Sequence, residues 1–340
     1  RELYICLMQS NLLLVTPPFT QLNTAYPATS YIKGFLEEKG VSVSHFDLSI
    51  ELFTSVFTSR SLRSIFQEAQ DLENYNYPLL QESKDLYISR IDVVIGFLQK
   101  QDLETAETLL ETGFLPIGHR LLNVNTDIKW EAGAPGVIDK AKHFATLFIE
   151  EIGDFIQANV DEFFSFTKYA EQIATSASSF NQIDTFLNYQ PTLIEDQMLA
   201  ILEARIKQHA PDLVGFTIPF PGNLFSALRC SQFIKQFYPQ IKIAFGGGYC
   251  NTELRSLEDP RIFEYVDFIS LDDGEGPLLK ITKYIEGKVE VNELERTFVL
   301  ENSQVVYKDK IPNTIFHHKN LPAPNYSGLP FEKYCSFLQL

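Results

Sequence analysis

A chain of 340 residues with 45% hydrophobic and 21% charged content has material for about two average domains, and its composition excludes a disordered tail or a linker. Its 28 basic and 44 acidic side chains leave a formal charge of −16, which repels phosphate backbones and anionic lipid, so neither nucleic acid nor a membrane is expected as a partner. Four cysteines, at Cys6, Cys230, Cys250 and Cys335, form no CxxC or zinc-ribbon spacing, and their scarcity fits a reducing cytoplasm. The start at Arg1 reads as processed or trimmed, and no apolar run near it approaches the roughly 20 residues of a transmembrane helix.

The first element is Asn11–Thr16, a short apolar run stopped by Pro17-Pro18, which predicts a strand buried on both faces of a parallel sheet. Tyr26–Lys39 has helical spacing and ends at Gly40, and Val41–Phe46 alternates into Asp47 as a second strand. Residues 11–47 therefore read strand, helix, strand, the opening of a doubly wound α/β domain. From about Ile50 to Gln208 the periodicity is helical with no convincing strand, best seen in Tyr87–Leu98 and Phe144–Phe164; Gly113–Pro135 reads as a loop. The α/β rhythm resumes with a strand at Asp212–Ile218, a helix at Asn223–Tyr238 and a strand at Lys242–Phe245 running into Gly246-Gly247-Gly248. A short turn at Thr252–Leu257, a fifth strand at Val266–Leu271 and a helix at Pro277–Ile285 complete the unit. The expectation is a flavodoxin-like, Rossmann-type sheet of five parallel strands formed by residues 1–50 and 209–290, interrupted after its second strand by a helical insertion, 51–208. Residues 291–340 read as a hairpin, Thr297–Tyr307, and an extended Pro-rich linker.

Ligands of open α/β sheets bind outside the carboxyl ends of the strands. Those ends are Thr16-Pro17-Pro18, Asp47, Thr217-Ile218-Pro219, Gly246-Gly247-Gly248 with Tyr249, and Asp273-Gly274-Glu275-Gly276. Three consecutive glycines let a ligand lie on bare backbone, whereas a tight turn explains one glycine easily and three poorly. Neither GxGxxG nor GxxxxGK[ST] occurs, which argues against a dinucleotide or a P-loop triphosphate. His45 reads as a packed strand residue, His119, His143 and His209 lack partners at metal spacing, and His317-His318 read as linker.

The order PDLVGFTI, helix, IKIAFGGGY, then VDFISLDDGEGPLLKI resembles the cobalamin-binding domain that precedes the catalytic barrel of many radical SAM enzymes. Thr217, Gly246-Gly247-Gly248 and Gly274-Glu275-Gly276 match its three motif points, LLLVTPPF and Phe35–Gly40 match its first unit, and LPAPNYSGLP (Leu321–Pro330) matches its connector. The resemblance covers roughly residues 11–50 and 210–340. It implies bound cobalamin, with the nucleotide tail among the strand-end loops and Glu275 either capping its helix or accepting from a corrin amide. The loop after the first strand has no D-x-H-x-x-G, so the implied form is base-off with no protein histidine on cobalt. No CxxxCxxC occurs, so the [4Fe-4S] cluster and S-adenosylmethionine are expected in a barrel beyond Leu340, and this fragment is not catalytic alone. Methyl transfer, or other radical chemistry, on a small-molecule or peptide substrate is the chemistry that the resemblance implies for the full-length protein. The alternative is a non-catalytic flavodoxin-like nucleotide-binding or sensor module.

Overall fold

The computed structural model describes residues 10–73, 76–124, 128–166, 180–310, 319 and 321–338. It is an α/β protein whose first unit is β1 (Asn11–Thr16), α1 (Ala28–Glu38) and β2 (Ser42–Asp47). Gly40, at φ +80°, closes α1. The Asp47 carboxylate ends β2 and caps α2 (Leu48–Val56), accepting from the Ser49 and Ile50 amides at 3.0 and 3.2 Å.

The insertion continues as α3 (Ser59–Asp71), α4 (Pro78–Glu82), α5 (Lys84–Lys100), α6 (Leu103–Leu109), α7 (His119–Leu122), α8 (Ala134–Asn159), α9 (Asn181–Leu187) and α10 (Leu193–His209). Among the described residues it contains no strand, as its periodicity predicts. The stretch expected as a loop, Gly113–Pro135, carries the single-turn helix α7, and α8 begins at its end. No helix among the described residues is long and apolar enough to cross a membrane.

The second half runs β3 (Leu213–Thr217), α11 (Pro221–Phe237), β4 (Lys242–Gly246), α12 (Gly248–Thr252), β5 (Phe268–Ser270), α13 (Glu275–Ile285), β6 (Thr297–Glu301) and β7 (Gln304–Lys308). The strand order is β2-β1-β3-β4-β5-β6-β7. The first five are parallel, in the register Leu14↔His45, Leu14↔Gly215 and Thr217↔Gly246. The expectation of a five-stranded sheet is corrected to seven strands, because the hairpin joins the sheet antiparallel to β5 through Ile269↔Phe298 and Ser270↔Thr297. Its two-residue turn, Asn302-Ser303, has positive φ at both positions, the geometry that matches strand twist. Burial of Thr297, Phe298 and Val299 against β5 holds it there.

Side-chain alternation gives the sheet two unlike faces. Leu13, Val15, Val214, Phe216, Ile243, Phe245 and Ile269 face the larger core shared with α11 and the insertion. Leu12, Leu14, Leu213, Ala244 and Phe268 face a smaller one, closed by Phe35 and Leu36 of α1 and Leu278, Leu279 and Ile281 of α13. The C-terminal segment, 321–338, is a strap that ties both parts together. Its Asn325 amide donates to Ser30 O of α1, its Tyr334 hydroxyl to Asp47 at 2.8 Å, and its Ser336 and Leu338 amides to Leu98 O and Thr146 Oγ1 of the insertion.

Candidate functional site

At the carboxyl ends of β3, β4 and β5, on the α1/α13 face, lies a cavity of about 250 Å³. It arises from side-chain size. On this face the last residues of the strands are Gly215 and Thr217, Ala244 and Gly246, and Ser270, all lining the cavity, while the residues alternating with them are large and point to the other core. A sheet surface this low leaves a gap beneath α1 and α13. Leu14 of β1, Thr29, Tyr31 and Ile32 of α1, and Gly274 and Leu278 complete the walls. The two helices come close above it: a Cβ on Gly274 would stand 3.1 Å from Ile32 Cδ1.

Of the strand-end residues singled out by sequence, Thr217, Gly246, Gly247, Asp273, Gly274 and Glu275 meet in this cavity. The others do not line it. Thr16, Pro17 and Pro18 are buried, and the loop is pinned toward α11: Asn223 Nδ2 donates to Pro17 O at 3.0 Å and Ser226 Oγ to Pro18 O at 2.7 Å. Ile218 continues the backbone ladder, its amide donating to Gly246 O and its carbonyl accepting from Tyr249. Pro219 and Tyr249 are buried beside that turn, and Gly276 packs against Glu295.

The glycine run divides by function. Gly247 has φ +111° and ψ −176°, a region only glycine occupies without strain, and a Cβ there would fall 2.7 Å from Ile218 O. A Cβ on Gly248 would fall 2.9 Å from Pro219 O. These two serve the turn and its close backbone approach. Gly246 is different: a Cβ there meets nothing nearer than Ser270 O at 3.9 Å, so its bareness serves the cavity.

Asp272, Asp273 and Glu275 give the cavity an acidic rim, with Asp272 paired to Arg255. Glu275 opens α13, whose N-terminus has no side-chain cap; its carboxylate acts there through the helix dipole rather than by the expected capping bond. The Ser270 hydroxyl is buried, the residue being 4% exposed, and has no hydrogen-bond partner among the described residues.

His45 lies behind Thr29, with Nδ1 3.3 Å from Thr29 Oγ1 and Nε2 3.0 Å from Ser327 O. Burial, assisted by the nearby Lys33 charge, pushes its pKa down to about 4, so it is a neutral packed residue, as its strand position suggests. Burial pushes Asp47 up to about 6 despite the Tyr334 hydrogen bond. His143 is buried with Nδ1 3.3 Å from Leu338 O, and His317-His318 lie outside the described residues. Among the described residues no cluster of His, Cys, Asp and Glu could hold a metal ion.

Sequence reasoning missed Gly215, Ala244 and Ser270, because it weighed loops after strands and not the face on which strand residues point. The signal was present: in LVGFT, KIAFG and FIS the positions nearest the carboxyl end on one face, Gly215 and Thr217, Ala244 and Gly246, and Ser270, are small. Comparison with protein-family models, with curated proteins and with solved structures gives no match to this chain.

Proposed function

We propose that the chain is a cobalamin-binding module with flavodoxin-like topology, holding the nucleotide tail of the cofactor in the cavity between α1 and α13. The observation that carries this reading is the slot itself, floored by Gly215, Ala244 and Gly246 at the carboxyl ends of the strands. It lies where open α/β sheets bind ligands. Ligand pockets commonly span about 300 to 1,000 Å³, so a cavity of about 250 Å³ suits one end of a large ligand. The tail base is flat and fits a low floor between Ile32 and Leu278. The corrin then lies outside, over the strand ends, where Asp273 and Glu275 can accept from its amide side chains.

The same rim disfavours the alternative of a nucleotide module, because Asp273 and Glu275, beside an Asp272 already paired to Arg255, repel a terminal mono- or polyphosphate. His45 is held by Thr29 and Ser327, which supports a base-off form without protein nitrogen on cobalt. When bound, cobalamin supplies a cobalt centre able to carry a methyl group. The sequence resemblance places that chemistry in a radical SAM enzyme, with the [4Fe-4S] cluster and S-adenosylmethionine on another domain.

Reconstitution tests the reading. Protein incubated with hydroxocobalamin and desalted is expected to retain the corrin absorbance. It should bind cobinamide, which lacks the nucleotide tail, more weakly. Gly246→Leu, whose Cβ meets nothing nearer than Ser270 O at 3.9 Å and whose side chain occupies the slot, should lose cobalamin while melting within a few degrees of the parent. No retained absorbance, or equal retention by Gly246→Leu, overturns the proposal.

A further inference from the structure

Ser270 is the last residue of β5 and shares the side-chain parity of Phe268, which packs in the α1/α13 core. Its side chain therefore points to the cavity face, and it lines the cavity. The hydroxyl is buried without a partner among the described residues, which is costly; the Thr20 and Ser30 hydroxyls are likewise unpaired, but neither lines this cavity. Its floor neighbours Ala244 and Gly246 offer it no side-chain acceptor. An unpaired hydroxyl kept on the floor of the slot, between Ala244, Gly246 and the strand end, is accounted for by an acceptor on the ligand.

The shape restricts that acceptor. The floor is made of small residues, Ile32 and Leu278 wall the slot, and the carboxylates at the rim disfavour an anionic group within the slot itself. A flat heteroaromatic ring fits, with a ring nitrogen in its own plane at the β5 side. We infer that Ser270 donates its hydroxyl hydrogen to that ring nitrogen, which makes it a specificity-determining residue for the base. The inference rests on the slot being the ligand site; the ring can belong to a cobamide tail or to a free nucleoside, and both present the same acceptor.

The test compares hydroxocobalamin, p-cresolylcobamide (whose phenolic tail has no ring nitrogen) and α-ribazole, the free nucleoside of the cobalamin tail, on the parent and on Ser270→Ala. The parent should prefer cobalamin to p-cresolylcobamide. Ser270→Ala removes an unpaired hydroxyl and no packing, so its melting temperature should match the parent's. It should weaken cobalamin binding about 3- to 10-fold, the worth of one hydrogen bond, and leave p-cresolylcobamide within about twofold. Equal effects on both cobamides, or none, overturn the inference. If neither cobamide binds but α-ribazole does so in a Ser270-dependent manner, the cobalamin reading falls and the inference stands. If none of the three binds, both fall.

Discussion

Gly247 and Gly246 are neighbours with opposite expected responses to a side chain. At Gly247 an alanine must hold φ near +111° with ψ −176°, and its Cβ would lie 2.7 Å from Ile218 O and 2.9 Å from Ile218 C and N. Backbone strain of this kind costs about 1 to 3 kcal/mol, and forcing a methyl against immovable backbone about as much again, so Gly247→Ala should lose about 2 to 6 kcal/mol. That corresponds to a fall in Tm on the order of 10 °C. At Gly246 the nearest atom to a new Cβ is 3.9 Å away, and the residue lies in extended β4. Gly246→Ala should be neutral or more stable by about 0.4 to 1 kcal/mol, through lower unfolded-state entropy. Circular dichroism melts of the two purified variants, with urea denaturation at 25 °C as a second measure, decide the matter. Equal Tm values for Gly246→Ala and Gly247→Ala would refute the division of the glycine run into a turn residue and a cavity residue.

The buried pair His45 and Asp47 should answer to pH in opposite senses. His45, depressed from 6.5 to about 4, contributes stability that is lost as pH falls between those values, whereas Asp47, raised from 3.8 to about 6, contributes stability that is lost as pH rises across that window. Relative to the parent, His45→Asn should therefore gain stability on acidification from pH 6.5 to 4 and Asp47→Asn should gain on alkalinisation from pH 4 to 6, both read from urea midpoints. Arg229 and Glu195 form an ion pair at 3.0 Å with side chains 4% exposed, and Arg229 also donates to Phe186 O and Leu187 O. Arg229→Met alone should cost about 3 to 5 kcal/mol by leaving Glu195 unpaired, and adding Glu195→Gln should restore part of it; an additive loss in the double variant contradicts the pairing. Electron paramagnetic resonance of the reconstituted cob(II)alamin form should show no nitrogen superhyperfine splitting, and its presence would place a nitrogen on cobalt.

Much of the fold is legible because short apolar runs bounded by Pro and Gly mark β1 and β3, and because the stripes of α5 and α8 exclude strands from the insertion. Boundaries shifted by a residue or more at element ends: α13 begins at Glu275 rather than Pro277, and β5 keeps only Phe268–Ser270 of the expected six-residue strand. The hairpin is legible from its turn, but its partner strand is not, since pairing to β5 accompanies burial of Phe298 in the larger core and Val299 in the smaller, both built from residues remote in sequence. The site was half legible. Glycine-rich loops announced Gly246 and Gly274, while Pro17-Pro18 misled because Asn223 and Ser226, some two hundred residues away, draw that loop to the opposite face. No local pattern encodes such a long-range tether.

The insertion begins in α2 and ends in α10, and these two helices lie side by side, joined by Arg205 to Glu51 and by Gln197 to Ser55. Topologically the stretch from residue 48 to 212 is therefore a single crossover between β2 and β3, enlarged about eightfold over an ordinary one. Each doubling of a closed loop adds only about 0.6 kcal/mol of entropy, so three doublings add about 2 kcal/mol, which one buried apolar side chain of Leu or Phe size can offset. Evolution of such a chain is thus cheap in thermodynamic terms and slow in kinetic ones. The pairs β1–β2 and β3–β4 can each form from near neighbours, but β1 meets β3 only after the ends of the enlarged crossover have come together. The junction between β1 and β3 closes the longest loop in the sheet, and it lies beside the slot, to which both strands contribute.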